Sequence, residues 1–477
     1  MSRRTVVLAA TLAVLAAAPT AAIAGRPGVW TPITSADGAN TDQVGLLRTP
    51  DGALQVAWSR KTPGNPARDD LLRTAISPAG SAGAAQTIAA GWEGIGPPQL
   101  ARAADGSLLL VAGATQSIEP GAVDAIAAWR SSDGGATWSA PVRATAAGGF
   151  SDDPGLALGA DGATPFIAWG TTFGLFLHRG LDPAVPASDF QTANGFGCCG
   201  YSPTLALDGA GGPLVLAWWS NADQGEGVWA QQVDQATGAP VGRAARMPGS
   251  VVDGDGSYSL AHTPIVSRPG RAGIWIAYAG GYPTTRRVLL WRFGTARSRT
   301  LAQRAGGLGD VAISVTPEGR LWVAWSAGDR IWARRSNRDA TVFGAVTSTP
   351  VVRGTETIYK LAVNAQSGLL DLLGSFDPSR GDGVRTWHTQ LRAGLTVSAR
   401  PARVAAGARS PRQVKVRVTD AGDPVAGATV KLAGQVGVTG RGGTATLSVP
   451  AGTRPRTLTA RAIRQGYVDG TATVRVR

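Results

Sequence analysis

Histidine, cysteine and methionine are almost missing from this chain, with 3, 2 and 2 of them in 477 residues. A structural zinc site, an iron–sulfur cluster and a multi-disulfide framework all need more nitrogen and sulfur ligands than that, so none of them organises the protein. Charge is sparse too: 16 % of residues are Asp, Glu, Lys or Arg, which excludes a disordered polyelectrolyte and a coiled coil. Lysine is reduced to Lys61, Lys360, Lys415 and Lys431, so arginine carries nearly all the positive charge, as in chains encoded by GC-rich genes. Beyond the N-terminus no apolar run approaches the roughly 18 residues that a membrane-spanning helix requires. In excess stand 65 Gly, 30 Pro and 15 Trp, against 9 Phe and 6 Tyr. That is a turn-rich composition, long enough for two or three domains.

The net charge of +14 is unevenly spread. Residues 394–477 hold 14 basic and 3 acidic side chains, whereas residues 26–393 hold 30 and 29. The large segment is therefore nearly neutral, and no nucleic-acid partner is expected for it. At the start, Arg3-Arg4, the apolar run Val6–Ala18 and Ala22-Ile23-Ala24 make a charged region, a hydrophobic region and an A-x-A cleavage site. Residues 1–24 thus read as a secretory signal peptide, and the mature chain as a secreted, extracellular, monomeric protein in an oxidising compartment.

One phrase recurs along residues 25–393: a small apolar strand, a Gly turn, then an alternating apolar strand ending in an aromatic. Examples are Asp51-Gly52 to Trp58, Asp161-Gly162 to Trp169, and Glu318-Gly319 to Trp325. Seven copies occur, marked by Gly52, Gly106, Gly162, Gly209, Gly270, Gly319 and Gly368, about 53 residues apart. Each continues into a third and a fourth short strand. Four antiparallel strands repeated at this period predict an all-β propeller of seven blades, with six as the alternative count. The last copy stops after its third strand, and Val29-Trp30-Thr31-Pro32-Ile33 repeats the fourth-strand phrase Trp138-Ser-Ala-Pro141-Val142, so the N-terminus is expected to complete the last blade. Residues 394–477 carry alternating strands such as Gln413–Val418 and Thr471–Val476 and predict a β-sandwich.

Between the third and fourth strands of the second copy lies Ser131-Ser-Asp133-Gly-Gly135-Ala-Thr137-Trp138, the pattern S-x-D-x-G-x-T-W. It resembles the Asp-box, or bacterial neuraminidase repeat, of the sialidase superfamily. Physically it is a hairpin whose Ser and Asp side chains satisfy turn N–H groups and whose Trp packs into the sheet, so its role is structural. Asp423 to Val430 with Gly440 to Ala445 resembles bacterial Ig-like modules, giving a sialidase-like β-propeller plus a C-terminal Ig-like β-sandwich.

The sialidase resemblance implies a ligand face formed by the loops leading into first strands and those joining second to third strands. It also implies three substrate-clamping arginines, a Tyr nucleophile primed by a Glu, and an Asp acid/base. The arginine followed by Ile-Pro that marks the first blade of the family is replaced here by Thr41-Asp42-Gln43-Val44-Gly45. Asp69 or Asp70 falls where the family's Asp lies, and Glu356 with Tyr359 leads into the last blade, so these four are the catalytic candidates. No G-x-S-x-G elbow and no H-E-x-x-H are present.

Ligand-binding candidates on that face are Trp92, Glu93, Asp152, Asp153, Cys198, Cys199, Tyr201, Trp219, Tyr258 and His262. Trp92 and Trp219 lie outside the repeat register beside acids, as platforms for a sugar ring would. Trp58, Trp169, Trp218 and Trp325 share one repeat position and read as core. Cys198-Cys199 between glycines can close a vicinal disulfide, a rigid apolar plate; free thiols and intermolecular pairing remain the alternatives. No metal site is expected, although Asp152-Asp153 and Asp253-Gly-Asp255 could hold Ca²⁺. The expected partner is an extracellular glycan or cell-surface polymer, bound without catalysis; an exo-acting, sialidase-like glycoside hydrolase is the second reading.

Overall fold

The computed structural model describes residues 27–34, 44–115, 125–146, 154–171, 174–195, 200–220, 225–250, 263–280, 286–304, 307–378 and 384–477, the side chains of 355–359, 377 and 378 excepted. Residues 1–24, read above as a signal peptide, lie outside this set, as do Asp152, Asp153, Cys198, Cys199, Tyr258 and His262.

Each of the seven sequence repeats occupies one antiparallel sheet. The first sheet, for instance, runs Gly45–Arg48, Leu54–Thr62, Asn65–Ile76 and Gln86–Trp92. The sixth runs Val311–Val315, Leu321–Ala327, Arg330–Arg335 and Thr347–Pro350. In the seventh, Thr355–Asn364, Leu370–Pro378 and Arg385–Leu391 come from the end of the repeat region, and Thr31–Pro32 supplies the outer strand. Thr31 pairs with His388 and Pro32 with Trp387, as the copied phrase at the N-terminus anticipates. The first strands touch one another in unbroken cyclic order, with the seventh back against the first, so the sheets form a β-propeller.

Second strands explain why the ring holds. Both faces of each are buried, so they read as continuous apolar runs instead of alternating with polar residues. In the sixth sheet Trp322 and Ala324 face the seventh, joining Leu370, Leu372 and Phe376. Val323 and Trp325, one residue over, face the fifth, joining Ala277, Val288 and Leu290. The same alternation gives every neighbouring pair of sheets its own buried cluster. At about 1.5–3 kcal/mol per fully buried large apolar side chain, these interfaces dominate the stability. Trp58, Trp169, Trp218 and Trp325 all sit in them, at 6 % exposure or less.

The turns between first and second strands need a residue in the left-handed region, and Gly52, Gly106, Gly162, Gly270, Gly319 and Gly368 take φ between +63° and +88°. The fourth turn departs from the reading of Gly209 as its marker: Gly211 carries the positive φ, while Gly209 lies so close to the Arg268 carbonyl that no Cβ fits. The S-x-D-x-G-x-T-W segment closes as read. Gly135 N donates to Ser131 Oγ at 2.8 Å, Thr137 N to Asp133 Oδ1 at 2.9 Å and Thr137 Oγ1 to Asp133 Oδ2 at 2.6 Å, while Trp138 packs on the cluster between the first two sheets. Hydrogen bonds from Thr137 and Ser131 hold the Asp133 carboxyl well below the usual carboxylate range.

Residues 394–477 form two facing sheets around an apolar core that includes Val414, Val416, Val430, Leu447, Ala460 and Val474. This sandwich is fused to the ring without a linker. Ala393–Gly394 pairs in parallel with Tyr467–Val468, and Asp420, 1 % exposed, receives ion pairs from both Arg320 and Arg335 of the sixth sheet.

Candidate functional site

Strand alternation puts the starts of the first strands and the second-to-third connections at one end of the ring. The first-to-second and third-to-fourth turns lie at the other, the end on which the sandwich docks. From the first end a channel of about 240 Å³ runs between the first strands, lined by Leu46, Gln99, Leu156, Thr204, Ile265, Ile313 and Ala362. One wall is distorted. Tyr201 pairs with Trp219 and Thr204 with Ala217, the register slips between them, and Ser202 in that slip takes φ +47°, costly for a residue with a Cβ. Thr263 Oγ1 donates to the Ser202 carbonyl at 2.9 Å and holds that conformation.

Asp69 and Asp70 are both buried on the hairpin that rises at this end. Lys61 Nζ lies 2.9 Å from Asp69 Oδ1, and Ile95 N donates to Asp69 Oδ2 at 3.1 Å. Asp70 accepts from Thr62 Oγ1 at 2.7 Å and from Gly91 N at 3.1 Å, with Arg60 Nε at 3.5 Å. Each carboxylate thus ties the hairpin to the outer strand or to the start of the second sheet; both Asp69 oxygens and Asp70 Oδ1 are engaged at hydrogen-bond distance, and Asp70 Oδ2 faces the Arg60 charge.

Trp92 ends the outer strand of the first sheet, with its ring 5.6 Å from that of Trp129 and packed on the cluster between the first and second sheets. Trp219 departs from its reading as a loop platform: it is the sixth residue of the strand Leu214–Ser220, 3 % exposed, inside the cluster that contains Tyr278. Strand pairing extends past the repeat's aromatic position and takes Trp219 into the core. Tyr201, half-buried at the rim, lies 5.6 Å from the Trp219 ring. Glu93 is exposed, with Arg68 at 3.8 Å. Among the described candidates, Trp92 and Glu93 are brought together with Asp69, which pairs with Trp92 across the strands. Tyr201 belongs to the fourth sheet instead.

Glu356 and Tyr359 occupy the first strand of the seventh sheet. Its pairing runs Thr357–Asp377, Ile358–Phe376 and Lys360–Ser375, with irregularities that step over these two residues. Bulges of this kind re-aim a strand next to sites.

Sequence reasoning missed a buried polar network at the far end of the seventh sheet. Asp371, 1 % exposed, takes an ion pair from Arg48 of the first sheet, lies 2.9 Å from His388 Nε2 and accepts from Gln390 Nε2 at 2.8 Å. Burial alone would raise the pKa of Asp371, but the hydrogen bond from His388, the Arg48 charge and the Gln390 amide outweigh it and leave it below its ordinary value. Its members are scattered over some 340 residues, so no local spacing announces them. Among the described residues no group of three His, Cys, Asp or Glu gathers as a metal site, and no helix is long and apolar enough to cross a membrane.

No family model matches the chain, and no curated protein matches it. Solved structures similar to it include the α-L-arabinofuranosidase Arb93A from Fusarium graminearum, at 15 % identity over 77 % of this chain and 98 % of that one, TM-score 0.42. An intramolecular trans-sialidase from Ruminococcus gnavus is 9 % identical over 65 % and 94 %, TM-score 0.43. Drosophila Semaphorin 1b, extracellular domains 1-2, is 10 % identical over 77 % and 87 %, TM-score 0.45. These similarities assign no reaction to this chain.

Proposed function

We propose that this is a secreted protein in which a seven-bladed, sialidase-like propeller binds an extracellular glycan without catalysis and an Ig-like module is fixed to its far end. The observation that carries the reading is the state of Asp69 and Asp70. A general acid needs a carboxyl free to meet the leaving-group oxygen, and both of these are spent on Lys61, Arg60, Thr62 and backbone N–H groups. The missing Arg-Ile-Pro signature of the first blade agrees with it. The rim offers Trp92, Glu93 and Tyr201 to a sugar, aromatic surface beside a carboxylate that can accept hydroxyl hydrogen bonds.

The test pairs two measurements on the mature protein. On a panel of fluorogenic glycosides that includes sialosides no turnover is expected, and on a glycan array binding is expected that persists in 1 M salt and weakens on Glu93→Ala or Tyr201→Ala. Turnover abolished by Tyr359→Phe or by Asp69→Ala/Asp70→Ala overturns the reading in favour of a glycoside hydrolase. The interrupted pairing at Glu356 and Tyr359 is the observation that favours this second reading.

A further inference from the structure

At the opposite end from that rim, the sandwich overhangs the ring and leaves a cleft of about 900 Å³ between them. Leu47 to Pro50 of the first sheet, Arg102 of the second, Gln390 and Arg392 at the end of the seventh, and Arg464-Gln465-Gly466 of the sandwich form its walls. Four of the lining residues are arginines and none is Asp or Glu.

Three of the four charges are not neutralised from behind. Arg48 alone has a carboxylate, Asp371. Arg464 donates to the Gly427 carbonyl at 3.2 Å, which leaves its charge uncompensated. Arg102 and Arg392 have no ion pair among the described residues, and Arg392 Nε is buried without a partner. Like charges held together where ring and sandwich meet cost free energy unless a counter-charge enters between them.

The cleft also asks for hydroxyl groups. Gln390, 1 % exposed, gives its Nε2 to Asp371 at 2.8 Å, which fixes the amide orientation, and its Oε1 is left with no partner. Gln390 is an acceptor for a hydroxyl hydrogen, which a fully deprotonated anion such as sulfate does not carry and a saccharide does. Leu47, Pro50, Pro78 and Leu369 add apolar wall of the kind that lies against the C–H face of a sugar ring. The volume falls within the roughly 300–1,000 Å³ typical of small-molecule sites.

The geometry points to a second binding site here, for an oligosaccharide that carries carboxylates, held by Arg102, Arg392 and Arg464 through its acid groups and by Gln390 through a hydroxyl. This site lies on the far side of the ring from Trp92 and Tyr201, so its failure and that of the glycan-binding rim are separate results.

The test is calorimetric titration of the full mature chain with α-1,4-linked trigalacturonate and with neutral maltotriose. Binding of the uronate only is expected, weakening as salt rises from 50 to 300 mM, and at least tenfold weaker in Arg102→Glu/Arg464→Glu. Both arginines are exposed, and the melting temperature of the double variant is expected to match that of the parent. Failure of trigalacturonate to bind, equal binding of maltotriose, or an unchanged affinity in the double variant overturns the proposal. Tripolyphosphate binding that the variant abolishes, with no uronate binding, overturns its saccharide part and makes the cleft a phosphate site.

Discussion

Asp371 shows how a single carboxylate joins the two ends of the ring. It sits in the seventh sheet, and Arg48 reaches it from the first, so the pair spans the seam where the ring closes. Because folding lowers its pKa, Asp371 stabilises the fold fully above the unfolded value of about 3.9, and that contribution fades as pH falls through the lower folded value. Asp371→Asn at pH 7 leaves Arg48 without its counter-charge and is expected to cost about 3 kcal/mol in urea denaturation. The difference from the parent is expected to shrink below about pH 4. A gap that stays constant to pH 2 would show that the charge of Asp371 is immaterial. Individual residues were unequally legible beforehand. Trp58, Trp169, Trp218 and Trp325 declare themselves by recurring at one position, whereas Trp219 lies one residue beyond it and its burial depends on how far the strand continues. Asp69 and Asp70 could be placed on the ligand face from the repeat, but not their commitment to Lys61 and Gly91, which only the fold brings close.

Among elements, the strands that alternate strongly are the ones the sequence reveals. Gln413-Val-Lys-Val-Arg-Val418 places three valines inward, and the observed strand is Arg412–Asp420. Arg456–Ile463 in the same sandwich escaped notice because two of its inward residues, Ala460 and Ala462, are small and give little contrast with their neighbours. The N-terminal strand was legible for a different reason, since Thr31–Pro32 copies a phrase found elsewhere in the chain. Removing residues 1–34 strips the outer strand from Arg385–Leu391 and leaves its N–H and C=O groups unpaired. The truncated protein is expected to self-associate, which light scattering during size-exclusion chromatography detects; a monomer of undiminished melting temperature would mean that the strand contributes nothing to closure.

On the scale of the whole molecule, ring and sandwich share a buried charge cluster. Arg320 and Arg335 both reach Asp420, Arg320 also lies 2.6 Å from Asp423, and the Arg335 guanidinium stands 5.2 Å from the centre of the Tyr467 ring. Asp420→Ala leaves two arginines facing each other without their shared counter-ion, a loss of about 3–5 kcal/mol. Scanning calorimetry is expected to resolve two transitions in place of one, and a single unshifted transition would show that other contacts fix the sandwich. The closing strand has a last consequence, which concerns time. Thr386 N donates to Thr34 Oγ1 across 352 residues of chain, so the first strand of the ring to be synthesised must wait for the last to appear. The equilibrium cost of so long a loop grows only logarithmically, about 0.6 kcal/mol per doubling. The delay is steeper, because contacts this distant in sequence form slowly, and until they do Val56 and Leu373 stand on an open flank that any other copy of the chain can meet first.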